Sequence, residues 1–118
     1  MIVNNDLTHI ECQLFEFFIN CIDSQKQLMI NQINNSTITK DCSEYSLLFK
    51  INCNKNFSKQ IVGFGFDSTL QILHSKTAPT VMKLFIKEGY ICEFEVYNAD
   101  LSVLDFDALF TGKVHKEF

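Results

Sequence analysis

One stretch narrows the possible folds more than any other. In Thr80–Asn98, TVMKLFIKEGYICEFEVYN, apolar and polar residues alternate on both sides of a Glu-Gly pair. Alternation with period two marks a half-buried strand, and a glycine between two such runs marks a hairpin turn. The register follows from the faces. If Lys87-Glu88-Gly89 is a three-residue loop with Gly89 in the left-handed position, Ile86 faces Tyr90, Leu84 faces Cys92 and Met82 faces Phe94, all on one buried face. Lys83 then lies opposite Glu93 on the other. A two-residue Glu88-Gly89 loop sets Leu84 against Glu93 and Lys83 against Phe94, which mixes the faces, so the three-residue loop is expected. The hairpin runs on into an acidic tail: from Glu88 to Asp107 there are six carboxylates and no lysine.

Upstream, Thr8-His9-Ile10-Glu11 fits the capping box S/T-x-x-E, with Leu7 placed for a hydrophobic staple. Ile10, Leu14, Phe17, Phe18, Cys21 and Ile22 recur with helical period, giving a helix over about 9–22. Asp23 and Ser24 are candidate caps for a shorter helix over Gln25–Ile33, which Asn34-Asn35-Ser36 ends. Thr37–Cys42 suits an edge strand. Tyr45–Cys53 alternates as a half-buried strand and, after a turn at Asn54-Lys55-Asn56, Ser58–Phe66 reads as its return. Gly63 and Gly65 within that return suggest a bulge or a close approach. Asp67-Ser68 reads as a turn, Leu70–Leu73 as a short strand, and Asp105–Phe110 as a short helical turn. The expected fold is α+β: one or two N-terminal helices on a mostly antiparallel sheet of four to six strands, in one domain spanning residues 1–118.

Composition excludes several function classes. All ten basic residues are lysine, so the planar fork that grips phosphate and guanine bidentately is missing, and a formal charge of −4 adds a long-range penalty for nucleic acid. The same charge favours a basic partner. Five cysteines with no CxxC pair read as small buried hydrophobes in a reducing compartment. The start, MIVNNDLTHIE, lacks the basic and apolar runs of a signal peptide, and no apolar run reaches membrane-spanning length. A cytoplasmic protein is expected, with no membrane and no nucleic acid among its partners.

Paired carboxylates are the nearest thing to chemistry. Glu93 and Glu95 share a strand face and Asp105-x-Asp107 follows, but neither pair sits in a glycine-bearing cation loop or beside further ligands. The histidines His9, His74 and His115 form no HxxxH, and Gly63-Phe64-Gly65 lacks the rest of a nucleotide fingerprint. No catalytic, metal or cofactor site is expected. An outward face carrying Phe85 and Tyr97 beside Glu93 and Glu95, with Asp100, Asp105 and Asp107 following, is instead the expected contact patch for a basic protein. The alternative is a small-ligand-binding or enzymatic domain with a pocket between the first helix and the sheet. A structural subunit pairing through an edge such as Thr37–Cys42 is a third possibility.

The Leu-Thr-x-x-Glu helix start, the central meander and the closing EGYICEFEVYNADLSVLDFD resemble small α+β immunity proteins of bacterial toxin–immunity modules, including contact-dependent growth inhibition systems. The resemblance implies a cytosolic inhibitor that binds one cognate toxin domain, often a nuclease, and blocks its active site or substrate surface without catalysis. No contact residues carry over from it, because no motif fixes them.

Overall fold

The elements follow in the order α1 (His9–Ile22), α2 (Lys26–Asn34), β1 (Ser36–Cys42), β2 (Ser46–Cys53), β3 (Asp67–Leu73), β4 (Thr80–Lys87), β5 (Tyr90–Asn98) and β6 (Lys113–Glu117). The structure is a computed structural model that describes residues 1–22, 24–62 and 67–117. Its strands form one antiparallel sheet in the order β1-β2-β5-β4-β3-β6. This is the expected α+β fold, with both helices N-terminal to the sheet. The thinnest dimension of the molecule is 21 Å, about one helix layer on one sheet layer.

The capping box forms as the sequence demands. Glu11 Oε1 accepts the Thr8 N–H at 2.8 Å, and Thr8 Oγ1 accepts the Glu11 N–H at 3.3 Å. The buried stripe of α1 is Leu14, Phe15, Phe18, Ile19 and Ile22. It is rotated from the expected one, because the Phe15 ring enters between Phe49 and Phe94 at 5.2 and 4.5 Å while Phe17 turns aside onto Phe110. Phe18 also meets Phe94, at 5.4 Å. These four rings join α1 to the centre of the sheet.

Helix α2 begins differently from the expectation. Its N-cap is Gln25, in the left-handed conformation with no side-chain cap, so Ser24 does not cap it, and Asp23 lies outside the described residues. Gln32, fully buried, ties α2 to its surroundings. Its Nε2 donates to Lys59 O at 2.8 Å and Gly89 O at 2.9 Å, and its Oε1 accepts the Ile91 N–H at 2.9 Å.

Three further expectations are corrected. Residues 58–62 are not a strand. Their backbone is satisfied elsewhere, Ile61 N–H by Gly89 O and Val62 N–H by Gln25 Oε1. Gly63, Phe64, Gly65 and Phe66, the rest of that expected strand, lie outside the described residues. Asp67-Ser68 is not a turn but the start of β3. The segment around Asp105–Phe110, expected as one helical turn, is two successive turns, closed by Ala108 N–H to Asp105 O and Thr111 N–H to Ala108 O. It buries Leu104 and Leu109. The chain then adds β6, a strand the alternation of Lys113–Glu117 was too short to announce.

The hairpin resolves its register in a third way. Its loop has two residues, Glu88 and Gly89, both with positive φ (55° and 83°), as a type I′ turn requires. Lys87 pairs with Tyr90 and Ile86 with Ile91, but the register then shifts so that Phe85 faces Glu93, Leu84 faces Phe94 and Lys83 faces Glu95. Cys92 is the extra residue of a β-bulge. It absorbs the slip that weighed against a two-residue loop. The buried face is therefore Met82, Leu84, Ile86, Ile91, Phe94 and Val96; Tyr90 and Cys92 are only half-buried, and the lysine opposite Glu93 on β2 is Lys50.

Candidate functional site

Because both helices pack on the Phe49–Phe94 side, the side chains of opposite parity form a second face that neither helix covers. Cross-strand register sorts that face into rows. Ser46, Tyr97, Val81, Gln71 and His115 make one; Asp41, Leu48, Glu95, Lys83 and Thr69 make the next; Thr39, Lys50, Glu93 and Phe85 make the third. Phe85, Glu93, Glu95 and Tyr97, the strand members of the expected patch, are thus brought together, all half-buried.

The other members are not. Asp100 lies in the turn after β5, where its Oδ1 accepts from the Ser102 hydroxyl at 2.6 Å and the Ser102 N–H at 3.1 Å. Those bonds hold its carboxyl below the ordinary range. Asp105 accepts the Asp107 N–H and lines a separate cleft of about 490 Å³ with His74, Lys76 and Lys113. Asp107 is exposed beside it.

The outer face is also less acidic than its sequence implies. Glu93 has Lys50 across one strand boundary, and Glu95 has Lys83 across another. Lys83 Nζ lies 5.8 Å from the centre of the Tyr97 ring. Opposite charges facing each other on a sheet are favourable neighbours, so these two pairs lower the net charge of the face. Asp41 has no such compensation across its strand boundary, where it faces Leu48.

Three residues that sequence reasoning did not single out complete this region. Asp41, Leu48 and Leu101 join Glu95 and Tyr97 around a depression of about 370 Å³ at one end of the outer face. Leu101 is 68% exposed and adopts φ 60°, a conformation uncommon for a leucine. Its N–H donates to Asn98 O, and Asn98 Nδ2 donates to Val103 O. Only the adjacency of β2 and β5, which are far apart in the chain, brings Leu48 beside Glu95.

Other chemistry is weakly provided for. Of the five cysteines expected to be buried only Cys53 is, and Cys42 is exposed; partial burial pushes the Cys12, Cys21 and Cys92 thiols up, away from the thiolate form a nucleophile needs. Among the described residues no three His, Cys, Asp or Glu side chains cluster as a metal site would require. The interval between α1 and the sheet is filled by Phe15, Phe18, Phe49 and Phe94, each at most 1% exposed. In the 490 Å³ cleft a hydrogen-bond chain runs from His74 Nε2 to Thr80 Oγ1 at 3.0 Å and on to Asn98 Oδ1 at 2.7 Å. Asn98 spends its Nδ2 donors on Ser102 and Val103, so Thr80 must donate to Asn98 and accept from His74. The chain of bonds leads from His74 into the loop after β5 and positions that loop.

No described helix is long and apolar enough to cross a membrane. No protein-family model, curated protein or solved structure matches the chain.

Proposed function

We propose that this chain is a cytoplasmic binding protein that docks one partner protein on the outer sheet face, and that the partner is a cognate toxin domain, a basic nuclease, which it neutralises as an immunity protein without catalysis. The observation that carries this reading is the division of labour between the two sheet faces. One is closed by helices and aromatic rings, whereas the other leaves Leu48, Phe85 and Tyr97 half-buried among Asp41, Glu93, Glu95, Lys50 and Lys83. Aromatic groups ringed by charge are the composition of a protein interface, and a formal charge of −4 speeds encounter with a basic partner.

The test is to find whether a neighbouring gene encodes a toxin domain and to co-express that domain with this chain. Growth should be restored, and the purified pair should form a complex whose association slows with salt. Tyr97→Ala and Phe85→Ala should each weaken the complex about tenfold or more while leaving the fold intact. A toxin that stays lethal and forms no complex would sink the reading. Glu95→Gln is a cleaner charge probe than Glu95→Lys, which would set two lysines opposite each other at Lys83.

A further inference from the structure

The row Asp41–Leu48–Glu95 crosses three neighbouring strands. Strand spacing puts the Asp41 and Glu95 backbones roughly 10 Å apart, with the Leu48 side chain between them on the same face. Tyr97 and Leu101 stand on the sides of the resulting depression. Among the described residues no third His, Cys, Asp or Glu joins Asp41 and Glu95, so the pair lacks the ligands that a hard divalent cation takes. The spacing suits an elongated cation with an aliphatic stem. Lys83 faces Glu95 from β4, with its Nζ 5.8 Å from the Tyr97 ring centre, and the described residues lining the depression include no lysine.

We infer that this depression is a socket for an arginine side chain presented by the protein partner, an inference that rests on the binding reading above and names the chemistry of its contact. The methylene stem would lie along Leu48 and Leu101, and the guanidinium would meet Asp41 on one side and Glu95 on the other. Its planar face can also stack on the Tyr97 ring. An ammonium is a point charge and reaches one carboxylate at a time, so lysine fits less well. Charge complementarity and the apolar floor together select this occupant: carboxylates alone would accept any cation, and leucines alone any apolar group.

The test uses the whole chain, labelled with ¹⁵N and titrated at constant ionic strength with acetyl-Gly-Arg-Gly-amide in the millimolar range. The neutral citrulline analogue, equal in shape, is run in parallel. Saturable amide shifts centred on Asp41, Leu48, Glu95, Tyr97 and Leu101 are expected with arginine alone, and they should vanish in the Asp41→Asn/Glu95→Gln variant while its remaining spectrum is unchanged. Equal shifts with citrulline, shifts centred elsewhere, or no saturable shift would overturn the socket. The peptide readout needs no partner, so the two readings fail separately. A chain that binds its toxin domain but not the arginine peptide overturns only the socket; one that binds the peptide but no toxin domain overturns the toxin reading.

Discussion

Gln32 shows how much of the fold can hang on one polar side chain. It is buried on α2, and its amide satisfies the Lys59 carbonyl and the Ile91 N–H and shares the Gly89 carbonyl with the Ile61 N–H, all beside the hairpin turn. Gln32→Ala should therefore lower unfolding free energy by about 2–4 kcal/mol in urea titrations, more than loss of a glutamine side chain from the surface. Nothing in the sequence marks it, because a glutamine on a short helix reads as solvated until the hairpin is placed against it. Glu11 was legible as a cap but not as an ion pair. Its Oε1 also accepts from Lys40 Nζ at 2.9 Å, which ties α1 to β1. Burial alone would raise the Glu11 carboxyl, but the Thr8 N–H and Lys40 together bring it below its ordinary value. A depressed folded pKa contributes stability that is present above the unfolded value and disappears as pH falls through the folded one. Glu11→Gln should accordingly be less stable than the parent at neutral pH and lose less on acidification, as urea midpoints measured from neutral to acid pH would show.

At the scale of elements, the first helix and the strand alternations were readable because period and caps are local. The hairpin register was not, because uniform pairing is the simplest assumption and a bulge breaks it. The faces inferred for Met82, Leu84, Ile86 and Phe94 hold, whereas those of Tyr90 and Cys92 do not. Residues 58–62 misled for a related reason. Ile61 is buried like a strand residue, but it is held by the Gly89 carbonyl and not by a ladder. That contact makes the turn intolerant of a side chain: a Cβ on Gly89 would lie 2.9 Å from Gln60 Cβ and 3.1 Å from Ile61 O, at φ 83°. Gly89→Ala is expected to cost about 1–3 kcal/mol, seen as a lowered thermal midpoint with the native spectrum otherwise retained. Part of the candidate site was legible too. Phe85, Glu93, Glu95 and Tyr97 share a face because they lie on two strands joined by one turn. Asp41 and Leu48 reach it only through the pairing of β2 with β5, which no local pattern encodes, and Asp105 left it because the chain after β5 turns toward the core at Leu104 and Leu109.

For the whole molecule, the ring cluster of Phe15, Phe18, Phe49 and Phe94 is where helices and sheet meet. Phe94 touches the other three, with ring centres 4.5 to 6.0 Å away. Phe94→Ala should cost about 3–5 kcal/mol, a large share of the 5–15 kcal/mol typical of a folded domain, and calorimetry should find a sharply lowered midpoint. The strand order has a consequence for how quickly such a structure assembles. The β1–β2 hairpin and the β3–β4–β5 meander each close over short loops, but joining β2 to β5 must bring together segments separated by roughly forty residues, and that closure entropy is met before the aromatic contacts reward it. Together with the β3–β6 pairing, which closes over a similar length of chain, the seam is expected to set the refolding rate. In stopped-flow experiments Phe94→Leu should slow refolding in proportion to its loss of stability, whereas Ile38→Val, on the edge strand, should leave refolding nearly unchanged and hasten unfolding.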